Sequence, residues 1–148
     1  MFDYEEYEIA CKKIQIENEE YLELFELDLM KSGLSDKTIL RHLRNVDFYI
    51  NTYLIREEPR PMIDGTFYID FFLGDFFIRK CMWSTPGNIK TNAASIKKFY
   101  KCMLDNDKIS KDSYNYLCSE IKENLVTWQT NCEIYNNPDL PSPFSFPF

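Results

Sequence analysis

The chain is poor in residues that interrupt helices and in residues that do chemistry. Of its 148 residues only four are glycine, and His42 is the single histidine. So few glycines, with apolar residues recurring at three- and four-residue steps, argue against a turn-rich β fold and predict an all-α protein. A bilayer-spanning run is missing too: the longest apolar stretch, Phe67 to Ile78, is interrupted by Asp70, Gly74 and Asp75, too short and polar to cross a membrane. The start, Met1-Phe2-Asp3-Tyr4-Glu5-Glu6, lacks the basic opening of a signal or transit peptide, so the expected location is cytoplasmic. The cysteines Cys11, Cys81, Cys102, Cys118 and Cys132 are all more than four residues apart. That spacing lacks the paired ligands of a structural zinc site and fits reduced, buried thiols. With His42 alone, there is no catalytic constellation either, and the many glutamates are expected to form a solvated face and not a tuned acid–base pair. The expectation is a non-enzyme with no catalytic residues, no metal, no cofactor and no small-molecule substrate.

What is present is a large apolar and aromatic content, 45% and 16% of the chain, enough for one packed domain. The charge, formally −7, is uneven. Residues 1–30 sum to −8, whereas the segment from Phe76 to Leu104 carries six basic residues and no acidic one. These are Arg79, Lys80, Lys90, Lys97, Lys98 and Lys101. A basic surface on an acidic protein suggests an anionic partner, nucleic acid first. The acidic start and the basic middle are also able to attract each other.

Periodicity predicts the elements. Asp3 caps a helix over about Tyr4–Met30 whose inner face is Tyr7, Cys11, Ile14, Tyr21, Phe25 and Leu29, with a break near Asn18 as an option. Lys31 and Gly33 close it. Ser35 caps a second helix, about Asp36–Leu54, with Ile39, Leu43, Val46, Ile50 and Tyr53 inward and Lys37, Arg41, Arg44 and Phe48 outward. Glu57-Glu58-Pro59-Arg60-Pro61 reads as a linker. A third helix, Thr66–Lys80, is apolar nearly all round and belongs at the centre, and Phe67, Phe71, Phe72, Phe76, Phe77 and Trp83 read most simply as core, with a partner-binding patch of a few of them as the alternative. Thr85-Pro86 opens a fourth, to about Leu104, with Ile89, Ala93, Ile96, Tyr100 and Met103 inside and Lys90, Lys97 and Lys101 along one flank, Lys98 further round. Ser110 caps a fifth, Lys111–Thr130. His42 reads as a surface or half-buried residue. Residues 1–135 form one domain, and 136–148, with four prolines and three phenylalanines, an irregular tail that is either disordered or docked through its phenylalanines.

The order of these pieces resembles the core-binding domain of tyrosine recombinases, the phage integrases. Gly33-Leu34-Ser35-Asp36-Lys37-Thr38 is similar to that family's "G-L-S-x-x-T" cap. Ile69-Asp70-Phe71-Phe72-Leu73 is similar to its "I-D-x-F-L" helix, and Ser95-Ile96-Lys97-Lys98-Phe99-Tyr100 to its "S-x-L-R-x-F-Y" helix. The likeness covers about residues 19–112. It implies a four- to five-helix SAM-like bundle that clamps duplex DNA, with Lys37, Arg41, Arg44, Lys90, Lys97, Lys98 and Lys101 as phosphate contacts. The family's reaction needs a second domain with a tyrosine nucleophile and two arginines. No arginine follows Arg79, so the likeness implies the bundle without the reaction. Two functions follow: a DNA-binding or recombination-accessory module, or a helical protein-interaction module that docks on another protein or a second copy through Phe48 or the 136–148 tail.

Overall fold

The computed structural model describes residues 3–144, and among them every regular element is helical. The predicted caps form. Asp3 accepts from the Glu6 amide and opens α1, Tyr4–Lys31. Ser35 accepts from the Thr38 amide and opens α2, Asp36–Phe48. Thr85 accepts from the Asn88 amide ahead of Pro86 and opens α5, Pro86–Asp105. Ser110 accepts from the Ser113 amide and opens α6, Lys111–Asn136. Each such bond satisfies one of the amides a helix start leaves without an internal partner. Gly33, just past the end of α1, takes φ +73°, the left-handed conformation that lets the chain turn back.

α1 does not break at Asn18. That residue is fully buried and donates from Nδ2 to the Ile50 carbonyl at 3.2 Å and to Asn51 Oδ1 at 2.7 Å, so the polar position is a rivet to α2. α2 itself does not run regularly to Leu54. At Tyr49–Tyr53 it widens into a π-type turn, with the Leu54 amide reaching the Tyr49 carbonyl at 3.0 Å. The extra residue rotates the side chains beyond it by about 100°. Leu54 and Ile55 therefore point inward and Tyr53 is only half-buried.

The third predicted helix is likewise composite. A 3-10 segment, Met62–Phe67, leads into α3, Ile69–Phe71, a second π-type stretch, Phe72–Phe76, and α4, Phe77–Lys80. It is not the centre of the molecule. Phe72, Leu73, Phe77 and Ile78 are core, but Phe67, Phe71 and Trp83 are 50%, 61% and 59% exposed, so these three depart from the simplest expectation of core and leave the alternative of an exposed patch open. The central element is α5, which packs on α1, α2 and α6 and buries Ile89, Ala93, Ile96, Phe99, Tyr100 and Met103. Phe25 meets Phe99 edge-on at 5.4 Å, which ties α1 to it. α6 runs six residues past its predicted end and lies antiparallel along α5: Gln129 donates to the Pro86 carbonyl and Asn136 to the Ser84 carbonyl. Cys11, Cys81, Cys102 and Cys132 are buried free thiols, and Cys118 is partly exposed. The start of the tail folds back, with the Phe144 ring 5.8 Å from Tyr135 and beneath the Arg79 guanidinium at 5.4 Å. Phe146 and Phe148 lie outside the described residues. No helix among the described residues is long and apolar enough to cross a membrane.

Close approach of α6 to the α3–α4 body depends on Gly74. A Cβ there would stand 2.8 Å from the Trp128 ring and 2.9 Å from Asp70 Oδ1, the group to which Trp128 Nε1 donates at 2.7 Å. Gly74→Ala is therefore expected to cost about 1–3 kcal/mol by overpacking. Thermal or urea denaturation checks this, and an unchanged transition would refute the close fit.

Candidate functional site

The seven basic residues expected to meet phosphate are all exposed, but they do not form one group. α2 and α5 pack side by side, and a buried polar junction sets their register. The Ser95 hydroxyl bonds His42 Nδ1 at 2.7 Å, Asn45 Nδ2 at 3.0 Å and the Thr91 carbonyl at 3.1 Å. His42 is thus a buried junction residue and not the surface or half-buried one its sequence context suggested. Its pKa is lowered, first by burial and then by the positive charges of Arg41 and Lys98. One ring therefore feels a cation from each helix, Arg41 on the α2 side and Lys98 on the α5 side of an α2–α5 ridge.

Lys97 and Lys101 continue that ridge along α5. With Lys98 they line a groove of about 370 Å³ that also holds Asp28 and Leu29 of α1 and Tyr114 of α6. Lys101 is also paired with Asp105 at 2.8 Å, an exposed contact worth little. Arg44 is set apart. It lines a different groove, of about 410 Å³, with Glu19, Glu23, Glu26 and Asp47 around it. Carboxylates of the first helix thus stand beside this arginine, which itself stays exposed, and Asp28 stands at the Lys98 groove. Lys37 stands in the first turn of α2 and Lys90 in the second turn of α5. Phe48 does not stand free beside the cations, as its helical position implied. It is half-buried, with Phe72 at 6.0 Å and Trp83 at 6.1 Å.

No family model, curated protein or solved structure matches the chain. The reading of the site accordingly rests on its own geometry. Among the described residues no three His, Cys, Asp or Glu side chains gather as a metal site.

The structure also assembles a second basic site that sequence reasoning passed over. A cleft of about 400 Å³ between the 56–60 linker and the α3–α4 body is lined by Arg56, Arg60, Arg79 and Lys80, by Glu57 and Asp75, and by aromatic rings. The guanidinium of Arg56 lies over Phe76 at 4.8 Å and that of Arg60 over Tyr68 at 4.6 Å. Arg79 holds Asp75 through Nε at 2.5 Å and Nη2 at 3.3 Å. Arg60 Nε is buried with no acceptor. Tyr53, on the same wall, has its pKa raised to about 12, chiefly by burial, so its hydroxyl stays a neutral donor. Arg56 and Arg60 fell within an apparent linker, and Arg79 and Lys80 at a helix end. The available signal was the interleaving of these cations with Tyr68, Phe71 and Phe76.

His42 provides a titration with an assigned origin, because the chain has no other histidine. Its folded-state pKa is below the ordinary value of about 6.5. The unfolded chain therefore takes up a proton that the folded chain refuses, and this contribution to stability is lost as pH falls from about 6.5 towards the lowered value. NMR of the imidazole Cε1 proton is expected to titrate below 6.5, and His42→Gln to remove part of the fall in Tm between neutral and mildly acidic pH. A midpoint at or above 6.5 would overturn the buried assignment.

Proposed function

We propose that the protein is a non-catalytic helical DNA-binding module of the recombination-accessory kind, gripping duplex phosphates on the α2–α5 ridge. The observation that carries the reading is that α2 and α5, held in register by the His42–Ser95 bond, each carry an exposed cation that acts on the His42 ring, Arg41 from α2 and Lys98 from α5. Lys97 and Lys101 extend the ridge on the α5 side, with Lys37 and Lys90 as outer contacts. Arg44 contributes least, since its carboxylate neighbours compete with phosphate. The order of the integrase-like motifs supports the same reading, and an all-helical bundle is compatible with the SAM-like core that the resemblance implies. Exposed lysines and arginines on helical faces bind phosphate without reading sequence, so the module on its own recognises duplex form.

A second reading has its own observation. Met82 is 99% exposed beside Trp83, itself 59% exposed, and Phe67 and Phe71 are exposed as well, which is more apolar surface than a freestanding helix connection needs. That favours a protein-interaction module, docking on another protein or on a second copy. With Phe48 packed inward, the exposed apolar groups at 67–83 and the tail are its remaining contacts.

Fluorescence anisotropy with a random-sequence duplex at low and moderate salt separates the two. The DNA reading expects binding whose logarithm falls with the logarithm of salt by about 0.9 for each phosphate neutralised. Arg41→Ala and Lys98→Ala should each remove about one unit of that slope, and Arg44→Ala less. Absence of binding at low salt, where the attraction is strongest, would leave the interaction module, with sedimentation as its direct assay.

A further inference from the structure

The Arg56–Arg79 cleft shares no residue with the α2–α5 ridge, and its chemistry differs. The ridge is lysine-rich and open, whereas the cleft is concave, arginine-rich and aromatic. Its size, about 400 Å³, lies in the range of small-ligand sites and suits a single nucleotide unit. A guanidinium laid flat on a ring keeps its N–H edge outward and loses little freedom when it pairs with a phosphate. Arg56 is held in this way by Phe76. Its only carboxylate contact, Glu57 at 3.8 Å, is with a side chain 75% exposed, so the pairing is weak. Lys80, at the last position of α4, has no ion pair among the described residues.

The lining carries four cations against the carboxylates Glu57 and Asp75, and Glu58 beside it pairs with Arg60 at 3.7 Å, which leaves an excess of one positive charge. A phosphate monoester carries about −1.5 to −2 at neutral pH, opposite in sign to that excess. Phe71 stands at the same cleft with most of its ring in solvent and no cation over it among the described residues. Such a ring beside a phosphate-binding set is the arrangement that stacks a base.

We infer that this cleft is a nucleotide site: Arg56 and Lys80 take the phosphate, and Phe71 stacks the attached base. The shared chemistry, a base joined to its phosphate, comes from a free nucleotide or from an unpaired nucleotide in a strand. Arg79 stands beside them in its two-point contact with Asp75, and Arg60 is held by the Tyr68 ring and by Glu58.

The test is calorimetric or NMR titration of the whole chain with adenosine monophosphate, adenosine, inorganic phosphate, an oligoglutamate peptide and a short oligothymidylate. Adenosine monophosphate is expected to bind saturably, with adenosine and phosphate each about tenfold weaker because each lacks one half of the recognition. Phe71→Ala is expected to cost about tenfold without changing Tm, since the ring is mostly exposed. Lys80→Ala should weaken nucleotide and phosphate alike. Arg41→Ala and Lys98→Ala should leave nucleotide binding unchanged, which keeps this outcome separate from that of the duplex experiment. Oligothymidylate binding tenfold or more above the mononucleotide assigns the strand as the source, and equal affinity assigns the free nucleotide. The inference is overturned if neither binds saturably at low salt, if Phe71→Ala binds as well as the parent, or if oligoglutamate matches the mononucleotide.

Discussion

Two phenolic hydroxyls out of reach of water hold the crossing between the first and second halves of the bundle. Tyr49 donates to the Gly65 carbonyl at 2.6 Å and Tyr100 to the Met62 carbonyl at 2.7 Å, and both side chains are fully buried. The segment between them follows a proline-containing linker and forms only a short 3-10 stretch, Met62–Phe67, so these donors add to the few bonds available to its buried carbonyls. Burial raises both tyrosine pKa values well above 10, so the hydroxyls remain donors throughout the physiological range. Gly65 belongs to the same arrangement, because a Cβ there would collide with the Tyr100 hydroxyl. Everything after the crossing takes its position from this clamp: the α3–α4 body, the linker arginines that face it, and the cleft between them.

Charge is organised by the same packing. α1 lays its apolar face on the core through Phe25 and Leu29, which brings its carboxylates against the flanks of its neighbours. Glu19, Glu23 and Glu26 surround Arg44, and Asp28 reaches the edge of the α5 lysines. The attraction between an acidic start and a basic middle is thus partly realised inside the molecule. It is incomplete because no ion pair joins α1 to α2 or α5 among the described residues, and the basic residues of both helices stay exposed. The uneven net charge is therefore consistent with a local cationic surface on an acidic protein.

Much of the fold was legible along the chain. Asp3, Ser35, Thr85 and Ser110 all cap as their local chemistry requires, Gly33 terminates α1, and the α5 stripe from Ile89 to Met103 is buried as its period demands. These features depend on residues within four positions of one another. The seven basic residues were legible as exposed helical positions for the same reason. The two π-type turns were not, since each inserts one residue to satisfy packing against distant elements and so rotates the side chains beyond it. Nor was the exposure of Phe67, Phe71 and Trp83, which hydrophobicity alone assigns to the core.

The sequence by itself determined the helices, their caps, their inner faces and the segregation of charge, because all of these depend on local hydrogen bonding and periodicity. The tertiary structure alone decided which cations become neighbours. A bond between His42 and Ser95, fifty-three residues apart, sets α2 on α5, so that Arg41 and Lys98 both act on one imidazole. Arg44, one turn from Arg41, is handed to the carboxylates of α1 instead. Arg56 and Arg60 leave an apparent linker to face Arg79 and Lys80 across a cleft. A helix's period says which side a residue is on; only the packing of one helix against another says what stands opposite it.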